Sequence, residues 1–410
     1  MVHERYKRPN YLFITIEENK GWFFSFNSLC QIDFNTNRVV IEKYLYDENK
    51  SKYFPYRNFA KIGDLFYLYP NIDYNFIDIY DSKTKRMQSV GLKNLDCNTN
   101  MTQNFFPKFG FHAVIDNRIY FVGYSYPAIV VYDLCTKEIV YLNKSLKEID
   151  EHITEYRWTG YFGDGYAISE GYIFFPVAGM AAILKVNATT LEEELIYVDV
   201  VSTSFGGMTQ LDEQHFLLTG RGIASNHIYI WNWKSEKIES DLYIDDFGNN
   251  CFEAFHAIKK CGNHFLVFPY LCQQDAIYEI NLKENALIKN NILSKCLEHE
   301  KNNCTQSIIK TLSIHSVDSH IIRFMSGNDF MWYEYDFEKD ILREFSVVSD
   351  ESDGFFDRAY GDLIKMRMAA NSSVDENDVP ISAMLRMRCE EDDKIKKKDD
   401  VGEKIYNSIS

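Results

Sequence analysis

Proline and paired cysteines are scarce in this sequence. It has 8 prolines in 410 residues, and none of its nine cysteines forms a CxxC pair. An odd, scattered set of cysteines is typical of reduced thiols, so we expect a cytoplasmic protein without a disulfide framework. The sequence also lacks a phosphate-binding loop, a dinucleotide-binding glycine pattern, an HExxH motif and a Gly-x-Ser-x-Gly motif. We therefore expect no cofactor and no bound metal.

Long apolar runs and an excess of basic residues are missing as well. The longest uncharged apolar run, residues 172–184, contains Pro176 and Gly179 and is shorter than the roughly 20 residues of a membrane-spanning helix. Residues 1–10 are polar and contain no apolar signal core. The 44 Lys and Arg residues stand against 60 Asp and Glu residues, a net charge of −16. Because such a surface repels phosphate backbones and anionic membranes, neither nucleic acid nor a membrane is an expected partner.

Aromatic residues, in contrast, are abundant. Thirty Phe, 28 Tyr and 5 Trp make up 15% of the chain. Rings pack well on a pleated, half-buried surface, so this composition favours β-sheet over helix. Hydrophobic residues at 46% and charged residues at 25% are ordinary for a globular protein and exclude a chain that is disordered throughout.

One short pattern occurs seven times along the chain. It consists of an apolar residue, two further residues, a large apolar residue and then Asp or Asn, which we call the anchor. Successive anchors are 48, 52, 54, 45, 49 and 55 residues apart. The seven anchors are Asp33, Asp81, Asp133, Asn187, Asn232, Asn281 and Asp336.

Each anchor opens a predicted hairpin. A hydroxyl residue stands three positions after the anchor in five of the seven copies, namely Thr36, Thr84, Thr136, Thr190 and Ser235. Short polar side chains at such positions bond the free amides of a turn. A second apolar stretch follows each turn, while an aromatic-rich run, a polar turn and another apolar segment precede each anchor. The pattern therefore predicts that each unit forms four strands in meander order.

Seven four-stranded units of this length predict a β-propeller with seven blades. The sequence resembles the broad class of WD-repeat and kelch-like propellers over residues 11–349. The regular Trp-Asp dipeptide of WD repeats is absent, and the double glycine of kelch repeats occurs at Gly206 and Gly207 alone. The resemblance thus implies an all-β architecture and leaves the chemistry open, because propellers include both enzymes and scaffolds. A pair of two-layer β-sandwiches is the alternative fold.

The repeat pattern stops near residue 350. Apolar residues within 350–370, among them Phe355, Phe356 and Leu363, predict a short helix packed on the propeller. Residues 371–410 include long runs of mixed charge that bury little apolar area, and we expect a mobile, disordered tail there.

The meander order places the loops between blades, and those between second and third strands, around one mouth of the central channel. This face is the expected binding surface, and its interblade loops are rich in aromatic residues such as Phe105 and Trp158. Exposed rings there would indicate a bound protein or ligand. The alternative is that the rings fill the wedges between blades.

Two further groups of residues are predicted at this mouth. His112 and His256 occur in the similar segments Phe-His-Ala-Val-Ile and Phe-His-Ala-Ile-Lys, and with Asp164 and Tyr166 they could share a cavity. Imidazoles beside a carboxylate can transfer protons, although histidines that bond a neighbouring blade are the alternative. Basic residues in or beside the same loops could bind a carboxylate, phosphate or acidic glycan. These are Arg57, Lys108, Arg157 and Arg221.

Two functions follow from these patterns. The first is a non-enzymatic binding or scaffold propeller that holds a protein partner on the aromatic loop face. The second is an enzyme or binding protein for an anionic glycan or small acid, with His112, His256 and Asp164 as the candidate catalytic residues.

Overall fold

The structure is a computed structural model that describes the blades and many of their connections. The described ranges are 15–17, 19–25, 28–45, 56–71, 74–95, 108–152, 160–244, 254–270, 275–297, 311–327 and 331–349. The predicted helix within 350–370 and the predicted tail at 371–410 lie outside these residues. The chain divides into two compact units, residues 10–348 and residues 1–9 together with 349–410.

The described chain forms seven antiparallel sheets. The first three blades consist of β1 (Thr15–Glu17), β2 (Lys20–Ser25), β3 (Ser28–Asp33), β4 (Arg38–Tyr44); β5 (Tyr56–Ile62), β6 (Leu65–Pro70), β7 (Phe76–Asp81), β8 (Met87–Gly91); and β9 (Phe109–Ile115), β10 (Arg118–Gly123), β11 (Ile129–Asp133), β12 (Ile139–Leu142). Blades 4 and 5 consist of β13 (Ala167–Ser169), β14 (Tyr172–Pro176), β15 (Ala182–Asn187), β16 (Glu193–Tyr197); and β17 (Phe205–Gln210), β18 (His215–Gly220), β19 (His227–Asn232), β20 (Lys237–Tyr243).

Blades 6 and 7 complete the ring. They consist of β21 (Phe255–Cys261), β22 (His264–Pro269), β23 (Tyr278–Asn281), β24 (Ala286–Lys289); and β25 (Thr311–Ser316), β26 (Ile321–Ser326), β27 (Trp332–Asp336), β28 (Ile341–Phe345). The first sheet has a fifth strand beside β4, namely β29 (Val348–Ser349). In every blade the four strands are paired in chain order, which confirms the predicted seven-bladed propeller and excludes the sandwich alternative.

Two of the described connections between blades contain a short α-helix. They are α1 (Leu146–His152), which follows blade 3, and α2 (Asn291–Lys295), which follows blade 6. A 3-10 turn, Gly222–Ala224, lies in blade 5. Among the described residues, no helix is both long and apolar enough to span a membrane.

The anchors form the same turn in all seven blades. In each, the Oδ1 atom of the anchor accepts hydrogen bonds from the backbone amides two and three residues later, at 2.8–3.4 Å. The third position donates its backbone amide in every blade, and the hydroxyls of Thr136 and Thr190 also accept hydrogen bonds from amides two residues later, at 3.3 and 3.4 Å, as predicted. The bond to the anchor itself needs no hydroxyl. Glu284 and Lys339 can therefore occupy that position in blades 6 and 7, where the sequence lacks Ser or Thr.

Each turn also contains one residue with a left-handed backbone. Four positions after every anchor the backbone is left-handed, with φ between 52° and 64°, and none of the seven residues is glycine. They are Asn37, Lys85, Lys137, Leu191, Glu236, Asn285 and Asp340. Side chains other than Gly, Asn and Asp adopt this conformation at a cost of about 1–2 kcal/mol. Four of the seven turns thus carry an unfavourable residue, which the flanking hairpin holds in place.

Apolar clusters between adjacent blades close the ring. Blade 1 contributes Phe23 and Val39 to a cluster that also contains Met325 and Trp332 of blade 7. On its other face, blade 1 packs Trp22 against Phe66 of blade 2, with ring centroids 4.8 Å apart. Similar clusters span blades 2 to 4, 4 and 5, 5 and 6, and 6 and 7. The core is therefore a circle of wedges between sheets.

Side chains also connect the innermost strands around the channel. Thr209 of β17 donates its hydroxyl to the carbonyl of Ile258 in β21 at 2.8 Å. The Ser316 hydroxyl of β25 likewise donates to the carbonyl of Lys260. Innermost strands have one edge without a paired strand, and such contacts satisfy part of that edge.

We predict that Glu236→Asn stabilises the protein, because Asn tolerates the left-handed backbone that Glu236 adopts. The free energy of unfolding should rise by about 0.5–1 kcal/mol, measured by urea denaturation. Glu138→Asn removes the same charge from an exposed turn position outside the left-handed region and should have little effect. A gain of equal size in both variants would contradict the explanation.

Candidate functional site

The candidate site is the loop face, defined here as the connections between second and third strands together with those that enter each blade. The two sets of connections meet directly. The amides of Tyr124 and Tyr126, which follow β10, donate to the carbonyl of Lys108, which precedes β9, at 2.7 and 3.1 Å. In blade 6 the amide of Tyr270 donates in the same way to the carbonyl of Ala254 at 2.8 Å. Both sets of loops therefore surround one mouth of the channel.

Lys108 connects two blades at this face. Its Nζ donates to the Tyr74 carbonyl at 2.9 Å and to the side-chain oxygen of Asn75. Both acceptors belong to the loop between β6 and β7 of blade 2. The half-buried ammonium therefore holds the entrance to blade 3 against blade 2, and this role does not require an anionic ligand.

Strand β7, which follows this loop, contains a buried carboxylate that sequence reasoning did not identify. Asp78 is fully buried, and its Oδ2 accepts hydrogen bonds from the hydroxyl of Tyr74 at 2.8 Å and from that of Tyr56. Burial, together with this carboxylate, raises the pKa of both tyrosines, so both remain hydrogen-bond donors. The sequence did contain a signal for this residue. Asp78 lies between Phe76 and Tyr80 on one face of an apolar strand, and alternation predicts that this face is buried.

His112 lies in β9 against the neighbouring blade. Its ring centroid is 5.9 Å from that of Tyr69 of blade 2, in an edge-on arrangement. Burial lowers the pKa of the imidazole to about 4. A histidine in this environment is neutral at physiological pH, because the charged form would lose its hydration.

Tyr166 faces the opposite wedge. Its ring stacks on that of Phe111, the residue before His112, with centroids 6.5 Å apart and planes within 3°. Successive residues of a strand point to opposite faces of the sheet. Phe111 thus packs toward blade 4 while His112 packs toward blade 2. Burial also raises the pKa of the Tyr166 hydroxyl.

Asp164 belongs to a backbone segment, residues 161–164, that bonds three blades and that we call the strap. The Tyr161 amide donates to the Tyr124 carbonyl of blade 3 at 2.8 Å. The Gly163 amide donates to the Pro176 carbonyl of blade 4 at 2.9 Å. Asp164 donates its amide to Gly206 and accepts from the Met208 amide of blade 5, both at 2.8 Å. The backbone of this half-buried residue is therefore fixed beside the innermost strand of blade 5.

Arg221 begins the loop between β18 and β19 of blade 5. The residue is 3% exposed, and its amide donates to the Ser202 hydroxyl at 3.0 Å and to the Ser204 carbonyl at 3.1 Å. Gly207, which pairs with Asp164, also pairs with Thr219 of β18. Asp164 and Arg221 thus belong to the same corner of blade 5, whereas Lys108 and His112 contact blade 2.

The remaining predicted site residues are described only in part or not at all. Arg57 lies in β5 and His256 in β21, but their side chains are outside the described set. Phe105, Arg157 and Trp158 lie outside the described residues altogether. The shared cavity of His112, His256, Asp164 and Tyr166 and the convergence of the four basic residues therefore stay predictions. Within the described part of the chain, no group of three or more His, Cys, Asp and Glu residues is arranged to hold a metal ion.

Comparison with known proteins identifies the fold and no family. No family model and no curated protein matches the sequence. A solved structure of the mitotic checkpoint complex contains a similar chain, with a TM-score of 0.53 and 9% identity over 84% of this chain and 88% of that one. The dihydro-heme d1 dehydrogenase NirN has a TM-score of 0.52 and 9% identity, over 82% and 67%. An extracellular domain of a two-component system from B. thetaiotaomicron has a TM-score of 0.51 and 12% identity, over 79% and 38%.

We predict that Gly163→Ala destabilises the strap. A Cβ atom at this position would lie 2.6 Å from the carbonyl oxygens of Phe205 and Gly206, and backbone cannot yield as a flexible side chain does. The free energy of unfolding should fall by about 2 kcal/mol or more. Gly91→Ala, whose Cβ would meet the Phe76 ring at an ordinary 3.7 Å, is the matched control. Equal stability of the two variants in urea would contradict this account of the strap.

We also predict that His112 makes stability depend on pH. Its pKa in the folded protein, about 4, lies below the ordinary 6.5, so between these values the unfolded chain binds the proton and the folded protein does not. Stability should therefore decrease as pH falls from 6.5 to 4, by on the order of 1–3 kcal/mol from this group.

In His112→Gln, thermal unfolding midpoints between pH 4.5 and 7 should fall less than in the parent protein. An identical pH profile would contradict the assignment. His315, whose pKa burial lowers to about 3, should retain its own contribution in both proteins.

Proposed function

We propose that this chain is a non-enzymatic binding or scaffold propeller that holds a protein partner on its loop face. The observation that supports this proposal is a set of exposed apolar side chains on tightly bonded loops. Ile223 is 78% exposed and Val201 is 64% exposed, and both lie in connections of blade 5 on the loop face. Large apolar groups that protrude from ordered loops are typical of protein contact sites.

The comparisons are compatible with this proposal but do not select it. Similar propellers occur in a mitotic checkpoint complex and in a dihydro-heme d1 dehydrogenase. Sequence identities of 9% support a shared fold and no shared function. A shared architecture hosts unrelated functions, so the choice must depend on residues of this chain.

The alternative is an enzyme or binding protein for an anionic glycan or small acid, and it has less support. A general acid or base works best with a pKa near the working pH, whereas burial lowers the pKa of His112 to about 4. The ammonium of Lys108 donates hydrogen bonds to Tyr74 and Asn75 of the neighbouring blade. Arg221 remains the strongest element of this alternative, because it is a buried cation at the loop face.

A cytoplasmic location is part of the proposal. The four cysteines that the structure describes, Cys30, Cys135, Cys261 and Cys296, are all free thiols. Three of them are buried, where they behave as small apolar residues. Reduced, unpaired cysteines are typical of a reducing compartment.

A photo-crosslinking amino acid introduced at position 223 tests the proposal. In cells that naturally contain this protein, we expect it to capture a discrete protein partner. The same probe at position 282, where Leu282 is 45% exposed beside the anchor Asn281 at the opposite end of the blade, should not capture that partner. Further probes at Phe76 and Val201 extend the map of the loop face. Absence of a captured protein from every loop-face position, or equal capture at position 282, would refute the proposal.

A further inference from the structure

Three exposed apolar residues of blade 5 lie on segments that contact one another. We call Val201, Ile223 and Tyr243 the blade 5 patch; their exposed fractions are 64%, 78% and 55%. Single exposed apolar residues are normal on a protein surface, so exposure alone indicates nothing. The informative feature is that hydrogen bonds connect the three segments that carry them.

The loop of Val201 is bonded to the loop of Ile223. The hydroxyl of Ser202, next to Val201, donates to the Ser204 carbonyl at 2.6 Å and accepts from the Arg221 amide at 3.0 Å. The Arg221 amide also donates to the Ser204 carbonyl at 3.1 Å. Ser202 and Ser204 are each 3% exposed. The two loops are therefore joined by buried hydrogen bonds, which exclude competing water and hold the loops in one arrangement.

The turn that carries Ile223 has little freedom. Gly222 adopts a φ of +65°, and a Cβ atom there would lie 2.8 Å from the Thr203 hydroxyl oxygen. The Ser225 amide donates a hydrogen bond to the Gly222 carbonyl at 3.2 Å and closes the turn. Glycine adopts this conformation and this close approach without strain. Ile223 is thus presented on a fixed backbone.

The third segment is connected through the far end of the same loop. Asn226 donates its side-chain amide to the carbonyl of Ile244, the residue after Tyr243, at 2.7 Å. His227 pairs with Tyr243 across the strands, and their rings stack with centroids 5.4 Å apart. A binding surface whose residues are already held in place loses less conformational entropy when it binds.

The charges near the patch are acidic. Asp199, two residues before Val201, is exposed. Asp241, two residues before Tyr243 and on the same face of β20, contacts Nδ1 of His227 through Oδ1 at 2.8 Å, and its side chain remains 40% exposed. Arg221, a cation at the start of the Ile223 loop, is buried. A ligand that covers the patch therefore meets negative charge at its margins.

We infer that the blade 5 patch binds a short peptide segment of the partner, in which a large apolar side chain is flanked by Lys or Arg. The apolar anchor would cover Ile223 and Val201, and the basic residues would face Asp199 and Asp241. A second copy of this chain is a poor occupant, since each copy has a net charge of −16. This inference rests on the proposed protein-binding function.

Selection from a displayed library of random 12-residue peptides against the purified full-length protein tests the inference. We expect the selected peptides to share a large apolar residue flanked by Lys or Arg. In fluorescence anisotropy, their affinity should fall at least tenfold for Val201→Ser/Ile223→Ser and should weaken in high salt. Val140→Ser/Leu282→Ser, which alters residues that are 43% and 45% exposed elsewhere on the propeller, should bind as the parent does. Thermal unfolding establishes that both double variants are folded.

Three outcomes would overturn the inference. The selected peptides could lack basic residues, they could bind the patch variant and the parent equally, or the parent could form a dimer that the patch variant does not form. The photo-crosslinking map separates these failures from that of the proposed function. A partner captured from Phe76 but not from position 201 or 223 would support protein binding at the loop face and contradict the blade 5 patch.

Discussion

Each blade has two apolar faces, and neither can be covered from within the blade. Burial of these faces is the interaction on which the whole structure depends. Phe174 of blade 4, for example, packs against Phe216 and Trp231 of blade 5, while Phe175 faces Phe111 of blade 3. A row of such sheets would leave two faces in water at its ends. Closure into a ring removes these ends, and the gain in buried apolar area stabilises blades that would not fold alone.

The parts of this architecture that arise locally could be predicted from the sequence. An Asp or Asn anchor needs only its own turn to form hydrogen bonds, so seven anchors predicted seven hairpins. The predicted role of the hydroxyl residues is confirmed at Thr136 and Thr190, which accept hydrogen bonds from turn amides. The turn also forms without them, because the donors to the anchor are backbone amides that every sequence provides. The left-handed residue four positions later also left no clear signal, since Leu191 and Glu236 occupy a conformation that usually selects Gly or Asn.

The candidate site depended on contacts between distant loops and was harder to predict. The topology placed Lys108 and Arg221 on the loop face. The sequence could not indicate that the Lys108 ammonium donates hydrogen bonds to a neighbouring blade. It could not assign the packing direction of His112 either, because a one-residue change of register would reverse it. The exposed Val201 and Ile223 have no motif. Their importance follows from Ser202 and Gly222, whose contacts form only in the folded chain.

The strap has a consequence for how this ring can change during evolution. Repeat proteins usually gain or lose whole units, since each unit contacts its immediate neighbours alone. Here one backbone segment hydrogen-bonds carbonyls or amides of blades 3, 4 and 5. Duplication or deletion of blade 4 would separate Tyr161 and Asp164 from acceptors and donors that two other blades supply. These three blades are therefore expected to be inherited as one block, while insertions accumulate elsewhere.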